Sequence, residues 1–260
     1  MQDFARVSYA PVGRCIYCRK VDDLRKEHII PYALGSNTSL PKATCGKCAE
    51  ITGKFEQQVM RGPMWPVRVL RKLQSRTKHN AAATTEQLTI VKDGQERLVE
   101  LPLEEFPILL PFPIFPLPAI LSPAGYTSGI QVVGEATVLF GPRPDDVARE
   151  LGASRIKMTR EHHPGSFARM LAKIAYSYAF GEGVTHVVEG NPPVIASILG
   201  EKDEIGFWVG TTDKPLNKIE HLLHRLSIIE DKKNGLLAAE VQLFADSQTP
   251  SYFVVLGRLQ

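Results

Sequence analysis

Hydrophobic and polar positions alternate with a period of two over much of the chain beyond residue 84, which predicts β-strands. Residues 88–91 and 97–101 are rich in β-forming side chains and flank the dipeptide Asp93-Gly94, the pattern of a hairpin with a two-residue turn. Five more segments predict strands, the last four as an antiparallel meander: 129–140, 205–209, 222–229, 237–245 and 252–256.

A helical period appears at two places in the same part of the chain. Residues 164–180 begin with a proline and carry apolar side chains on one side, namely Phe167, Met170, Leu171, Ile174 and Tyr178. Residues 193–199 predict a second, shorter helix. The proline-rich run 106–123 fits neither a regular helix nor a central strand, so we expect it to cover a surface in extended form. We therefore predict an α+β domain with a mainly antiparallel sheet for residues 84–260.

Residues 1–80 differ from the remainder in charge. They contain fifteen Lys and Arg against six Asp and Glu, a balance of +9, whereas the whole chain has a net charge of only +3. A basic segment of this size indicates an anionic partner, of which nucleic acid is the commonest. A solvated basic face without a partner is the alternative interpretation.

The four cysteines form two C-x2-C pairs, Cys15 with Cys18 and Cys45 with Cys48. Four thiolates are the number that a tetrahedral structural zinc site requires, and the two-residue spacing lets each pair turn both sulfurs toward one ion. A redox-active pair is the rival interpretation. The order of knuckle, β-hairpin and second knuckle at a helix N-terminus predicts a treble-clef zinc finger over residues 1–80, followed by the α+β domain of residues 84–260.

Several motifs between and after these cysteines carry a family resemblance. They are Cys15-Ile-Tyr-Cys18, Glu27-His28-Ile29-Ile30-Pro31, Ala33-Leu34-Gly35, and Cys45-Gly-Lys-Cys48 followed by Ile51-Thr52-Gly53-Lys54-Phe55-Glu56. Together they resemble the HNH endonuclease family in its zinc-containing ββα-metal form. The resemblance covers about residues 12–60, less than a quarter of the chain.

The resemblance implies roles for individual residues. His28 matches the general base that activates the attacking water, and Glu27 matches a ligand of the catalytic divalent ion, Mg²⁺ or Mn²⁺. Asn37 is the only asparagine between the knuckles and matches, loosely, the residue that orients the base. The family usually has His or Asn after the last zinc cysteine. This chain has Ala49 there, which offers no ligand atom.

A basic stretch follows the treble clef. Residues 67–75 can form a helix, and its cations would suit the phosphates of a nucleic-acid duplex. The predicted nucleic-acid-binding residues are Arg68, Arg71, Lys72 and Arg76. A linker helix that packs on the rest of the chain is the alternative, and no base-reading motif indicates sequence specificity.

Composition narrows the class of protein. With 43% hydrophobic and 23% charged residues in 260, the chain is neither disordered nor a coiled coil. The longest apolar candidate, residues 106–121, is interrupted by five prolines, so we expect no transmembrane helix and no membrane partner. Residues 1–11 lack an apolar leader segment, which predicts a cytoplasmic protein.

These observations favour a metal-dependent HNH-type nuclease that cleaves DNA, with a C-terminal domain that regulates or targets it. A part in host defence follows from the resemblance alone. The main alternative is a non-catalytic, zinc-stabilised module that binds nucleic acid or protein. A third hypothesis is a sensor whose C-terminal domain binds a small molecule. We assign no role to the histidines beyond residue 84, namely His162, His163, His186, His221 and His224.

Overall fold

The computed structural model describes residues 9–74, 84–122, 125–158, 162–187, 192–212 and 218–260. These ranges form α-helices and antiparallel sheets in the mixed α+β arrangement that the sequence predicts.

The N-terminal part is built around one hairpin and one helix. Strand β1 (Leu24–His28) pairs antiparallel with β2 (Ser39–Cys45), so that His28 lies opposite Ser39. Helix α1 (Gly46–Arg61) follows β2 directly, with Cys45 as its N-cap residue, and the short helix α2 (Trp65–Leu70) comes next. This is the predicted order of hairpin and helix.

The next segment contains the predicted hairpin. Strands β3 (Thr85–Lys92) and β4 (Gln95–Pro102) pair along their whole length. The turn residues Asp93 and Gly94 have φ values of 53° and 75°, the left-handed conformation that such a two-residue turn requires. A short helix α3 (Pro144–Glu150) leads to β7 (Arg155–Lys157), which pairs with the other edge of β3.

The proline-rich run departs from the expected surface position. Strand β5 (Ile108–Ile114) pairs with β6 (Gly134–Phe140) in a two-stranded sheet, and Phe112 is completely buried. Pro111 and Pro113 are two residues apart and therefore face the same edge of β5. A strand with one partner leaves one edge unpaired, so prolines at alternate positions need not remove a ladder hydrogen bond.

The C-terminal sheet has the strand order β8-β11-β10-β9. Its strands are β8 (Val209–Thr211), β9 (His224–Asp231), β10 (Leu236–Leu243) and β11 (Tyr252–Arg258), and the last three form the predicted meander. The prediction of a strand over 205–209 is wrong, because helix α6 (Ile205–Trp208) precedes β8. One helical turn buries both Ile205 and Trp208, which an alternating strand would place on opposite faces.

Helix α4 (Pro164–Gly181) lies at the centre of the molecule, as its apolar face predicts. It packs against α1 on one side and against β10 and β11 on the other, while helix α5 (Val194–Leu199) contacts it as well. Four alanines of α4, Ala168, Ala172, Ala175 and Ala179, are fully buried and allow close approach. One continuous hydrophobic core therefore extends from the cysteine knuckles to β11, and the domain boundary near residues 80–84 stays a prediction.

Buried polar contacts also join the N-terminal part to the C-terminal sheet. The His224 Nε2 lies 2.8 Å from the Leu34 carbonyl oxygen, and its Nδ1 accepts a hydrogen bond from the Phe244 amide. Arg71 donates to both carboxylate oxygens of Asp246, at 3.0 and 2.5 Å. No helix in the described ranges is long and apolar enough to cross a membrane.

The environment of His224 predicts a pH-dependent stability. Burial lowers the pKa of His224 to about 4, although the Leu34 carbonyl and Asp246 oppose this effect. In the unfolded chain the pKa of this histidine is near 6.5, so between pH 6.5 and pH 4 the unfolded chain binds more protons than the folded chain. The contribution of neutral His224 to the free energy of unfolding is therefore complete above about pH 6.5. It decreases as the pH falls toward 4, and the total loss is at most about 3 kcal/mol.

This effect is measured as the free energy of unfolding of wild type and His224→Gln between pH 7.5 and 4.5. Glutamine can donate to the Leu34 carbonyl but does not titrate, so the wild-type curve should fall more steeply through this range. Parallel curves would contradict the assignment. Zinc content is followed in both proteins, since acid also protonates cysteine ligands.

Candidate functional site

The cysteine knuckles bring four sulfur atoms together. The Cys15 amide donates to the Lys20 carbonyl and the Arg19 amide donates to the Cys15 carbonyl, which closes the first knuckle. The second pair lies at the N-terminus of α1, where Cys45 and Cys48 are both buried. All four Sγ atoms lie within 4.8 Å of one another, and those of Cys18 and Cys45 are 3.5 Å apart.

This arrangement fits one tetrahedral zinc ion. Thiolates at about 2.3 Å from zinc lie about 3.8 Å apart, close to the separations seen here. Burial and the neighbouring Cys15 thiolate raise the pKa of Cys48 far above its usual range, so four thiolates need a cation to share the site. The cluster could therefore hold the structural zinc ion that the sequence predicts.

His28 ends β1 with its side chain half-buried. Its ring lies 5.5 Å from that of Tyr32, centroid to centroid. Asn37 is also half-buried and lies in the loop between β1 and β2, two residues before Ser39. Ser39 is the residue opposite His28 in the hairpin. The structure thus places the predicted base and its predicted orienting residue at the same end of the hairpin.

Glu27 points to the other face of the hairpin, because neighbouring residues of a strand face opposite sides. Its side chain is 5% exposed, and its carboxylate Oε1 lies 2.6 Å from the Lys173 Nζ of α4. The same ammonium lies 3.0 Å from the Glu56 Oε1 of α1. It also donates to the backbone carbonyls of His28 and Ile29.

These three charges form a buried cluster. Burial lowers the pKa of Lys173, but the carboxylates of Glu27 and Glu56 outweigh this effect and raise it. Burial raises the pKa of Glu27, and the Lys173 ammonium opposes that shift. Lys173 is therefore charged at neutral pH, and it compensates the Glu27 carboxylate inside the protein.

The residues at this position do not fit the catalytic divalent ion that the resemblance implies. Glu27 is bound to Lys173 and buried, and Ala49 has no ligand atom. Over the ranges that the structure describes, the four cysteines are the only group of three or more His, Cys, Asp or Glu residues arranged to hold a metal.

The predicted nucleic-acid-binding arginines have protein partners. Arg68 is 8% exposed and donates to the carbonyls of Ala33 and Met60, both at 2.7 Å. Arg71 pairs with Asp246, as described above. Lys72 is exposed, and Arg76 lies outside the described residues. Of the four residues, Lys72 alone is described with an exposed side chain.

Sequence reasoning missed Lys173 and the part played by Glu56. A signal was present, because Lys173 is the only charged residue between Met170 and Phe180 in a helix whose other residues are mostly apolar. A lone charge in a helix that is apolar on several sides requires a buried partner of opposite charge.

A small cavity of about 150 Å³ lies beside the N-terminus of α4. Its wall is mostly apolar and includes Met64, Pro111 and Phe167. The Nδ1 of His162 is 3.6 Å from the Oε2 of Glu135 at this cavity. This is a place where the predicted small-molecule ligand could bind, and that hypothesis stays a prediction.

Comparison with known families agrees with the geometry of the N-terminal part. Residues 15–61 match the family model of the HNH endonucleases. The predicted resemblance is confirmed for this segment, which we call the HNH module. The match covers less than a fifth of the chain. No curated protein and no solved structure shows significant similarity to the chain.

Replacement of a zinc ligand tests the metal site. We expect Cys48→Ser to lower bound zinc from about one equivalent to near zero and to unfold the HNH module, because structural zinc supplies folding free energy. Zinc content by elemental analysis and thermal unfolding are the measurements. Lys47→Ser, at the exposed neighbouring position, is the matched control and should keep its zinc. Full zinc occupancy in Cys48→Ser would contradict the four-cysteine site.

Proposed function

We propose that this chain binds nucleic acid through its zinc-stabilised HNH module, without metal-dependent cleavage. The match of residues 15–61 to an endonuclease family supports a nucleic-acid partner. The proposal that the module does not cleave rests on the buried pairing of Glu27 with Lys173. Glu27 matches the family's metal ligand, and this pairing keeps its carboxylate away from solvent.

The charge distribution of the HNH module supports binding. Asp23 is paired with Arg25, and Glu50 with Lys54. Other cations on the surface of the module are exposed, among them Lys20, Lys26, Lys42 and Lys47. Exposed lysines contribute to nucleic-acid affinity through phosphate contacts and counterion release, without reading sequence.

Metal-dependent hydrolysis of DNA is the second candidate function. The half-buried His28 at the end of β1, with Asn37 in the loop at the same end of the hairpin, favours it, because the resemblance assigns the proton transfer to His28 and its orientation to Asn37. In this candidate His28 would take the proton of the attacking water. A neutral imidazole suits that step near pH 7.

The C-terminal residues are proposed to position or regulate the HNH module. Their support is the extensive contact of α4 with α1 and the tie between His224 and Leu34. A part in host defence and a location in the cytoplasm stay predictions from the sequence.

The binding proposal is tested by neutralising exposed lysines. The triple variant Lys20→Gln, Lys26→Gln and Lys42→Gln should weaken binding to a labelled duplex. If all three contact phosphates, the slope of log affinity against log salt should become shallower by up to about 2.7. Fluorescence anisotropy at several salt concentrations measures both effects.

A control with the same change of net charge is available in the C-terminal part. Lys202, Lys232 and Lys233 are exposed and lie outside the HNH module. Their triple replacement by Gln should leave the salt slope close to that of wild type. Equal effects of the two triple variants would show that binding follows net charge rather than the module. Single-stranded DNA and RNA of equal length identify the preferred polymer.

Cleavage is tested with supercoiled plasmid and single-stranded DNA and RNA, in Mg²⁺ and then in Mn²⁺. We expect the zinc-replete wild type to leave all of them intact. Cutting by wild type that is lost in His28→Ala, and kept in the surface control His162→Ala, would establish the second candidate instead. Zinc is measured in each sample, so that unfolding is not mistaken for lost chemistry.

A further inference from the structure

The Lys173 ammonium is surrounded by oxygen atoms. The Glu27 and Glu56 carboxylates lie at 2.6 and 3.0 Å from Nζ, and the carbonyl oxygens of His28 and Ile29 complete the set, the latter at 3.4 Å. We call these four groups the oxygen cage. Carboxylate and backbone carbonyl oxygens are also the ligands that hard divalent cations take in proteins.

The HNH module supplies the whole cage, and α4 supplies the cation. The Lys173 side chain is 1% exposed, so its charge has lost its hydration shell and depends on the cage for compensation. The side chains of Glu27 and Glu56 are 5% and 21% exposed. The Glu27 carboxylate, at this depth, requires a positive charge beside it, which the Lys173 ammonium supplies.

A further buried oxygen lies near the cage. Tyr17 is 3% exposed, and its hydroxyl has no hydrogen-bond partner among the described residues. Its ring lies 5.8 Å, centroid to centroid, from that of Tyr176, which follows Lys173 by one turn of α4. This group is an uncommitted donor or acceptor beside the site.

We propose that the oxygen cage is a cation site in which Lys173 takes the place of a metal ion, and that loss of Lys173 turns it into a divalent-cation site. The two cations exclude each other, because an ammonium and a divalent ion sharing the same carboxylates would repel strongly in a buried environment. With Lys173 in place, the oxygen cage binds no divalent ion.

The experiment replaces Lys173 by methionine, which keeps an unbranched side chain but removes the charge. Lys173→Met should unfold at a lower temperature than wild type, since it leaves two buried carboxylates uncompensated. Added Mn²⁺ should restore stability, by about 5 to 10 °C at a concentration of ~100 Kd. The melting temperature of wild type should not respond to Mn²⁺. The electron paramagnetic resonance signal of free Mn²⁺ gives the number of bound ions by difference from the total.

The double variant Lys173→Met with Glu27→Gln is the matched control. It keeps the shape of the cage but removes one carboxylate, and its affinity for Mn²⁺ should be at least about tenfold lower than that of Lys173→Met, a loss of about 1.4 kcal/mol. Equal Mn²⁺ binding by the two proteins, or no stabilisation of Lys173→Met by any divalent ion tested, would overturn the proposal.

Wild type provides a test that does not depend on the folding of Lys173→Met. Binding of Mn²⁺ to wild type that is lost in Glu27→Gln would show that the ammonium yields to metal, and would also overturn the proposal. Absence of such binding supports it. Because none of these measurements involves nucleic acid, their outcome is independent of the binding test above.

Discussion

The burial of one positive charge is the constraint on which the centre of this structure depends. Lys173 lies in the middle of α4, where that helix crosses α1, and water cannot reach its ammonium. An unpaired charge at such a position would cost several kcal/mol, so the pairing with Glu27 and Glu56 holds the relative positions of α1, α4 and β1. The apolar contacts around α4 give most of the stability, and the charged cluster makes the packing specific to one arrangement.

The HNH module thus contains two places where negative groups converge, and they are neutralised in different ways. Four cysteine thiolates require an ion from solution, for which their spacing suits zinc. The oxygen cage receives its positive charge from the same chain. In both places a cation between converging negative groups would hold elements of the fold together.

Local patterns in the sequence predicted the hairpin at Asp93-Gly94, the cysteine knuckles and α4, because each depends on residues that are close in the chain. Contacts between distant segments decided the remainder. The sequence predicts that Arg68 binds phosphate, but its side chain donates to the carbonyls of Ala33 and Met60 instead. The proline-rich run is expected to cover a surface in extended form, but it forms a strand paired with β6, in which Phe112 is buried. Glu27 was assigned to a metal by resemblance, and only the fold shows that its partner is a lysine far along the chain.

The distance along the chain between the cage and its lysine has a consequence for the order of assembly. Lys173 and His28 are 145 residues apart, whereas all four cysteines lie within the first 48 residues. During translation, which proceeds from the N-terminus, the knuckles can capture zinc while most of the chain has yet to be made. The carboxylates of the cage stay hydrated or protonated until α4, which contains their partner Lys173, has left the ribosome. Until then Glu27 and Glu56 lack the ammonium that compensates them in the folded chain.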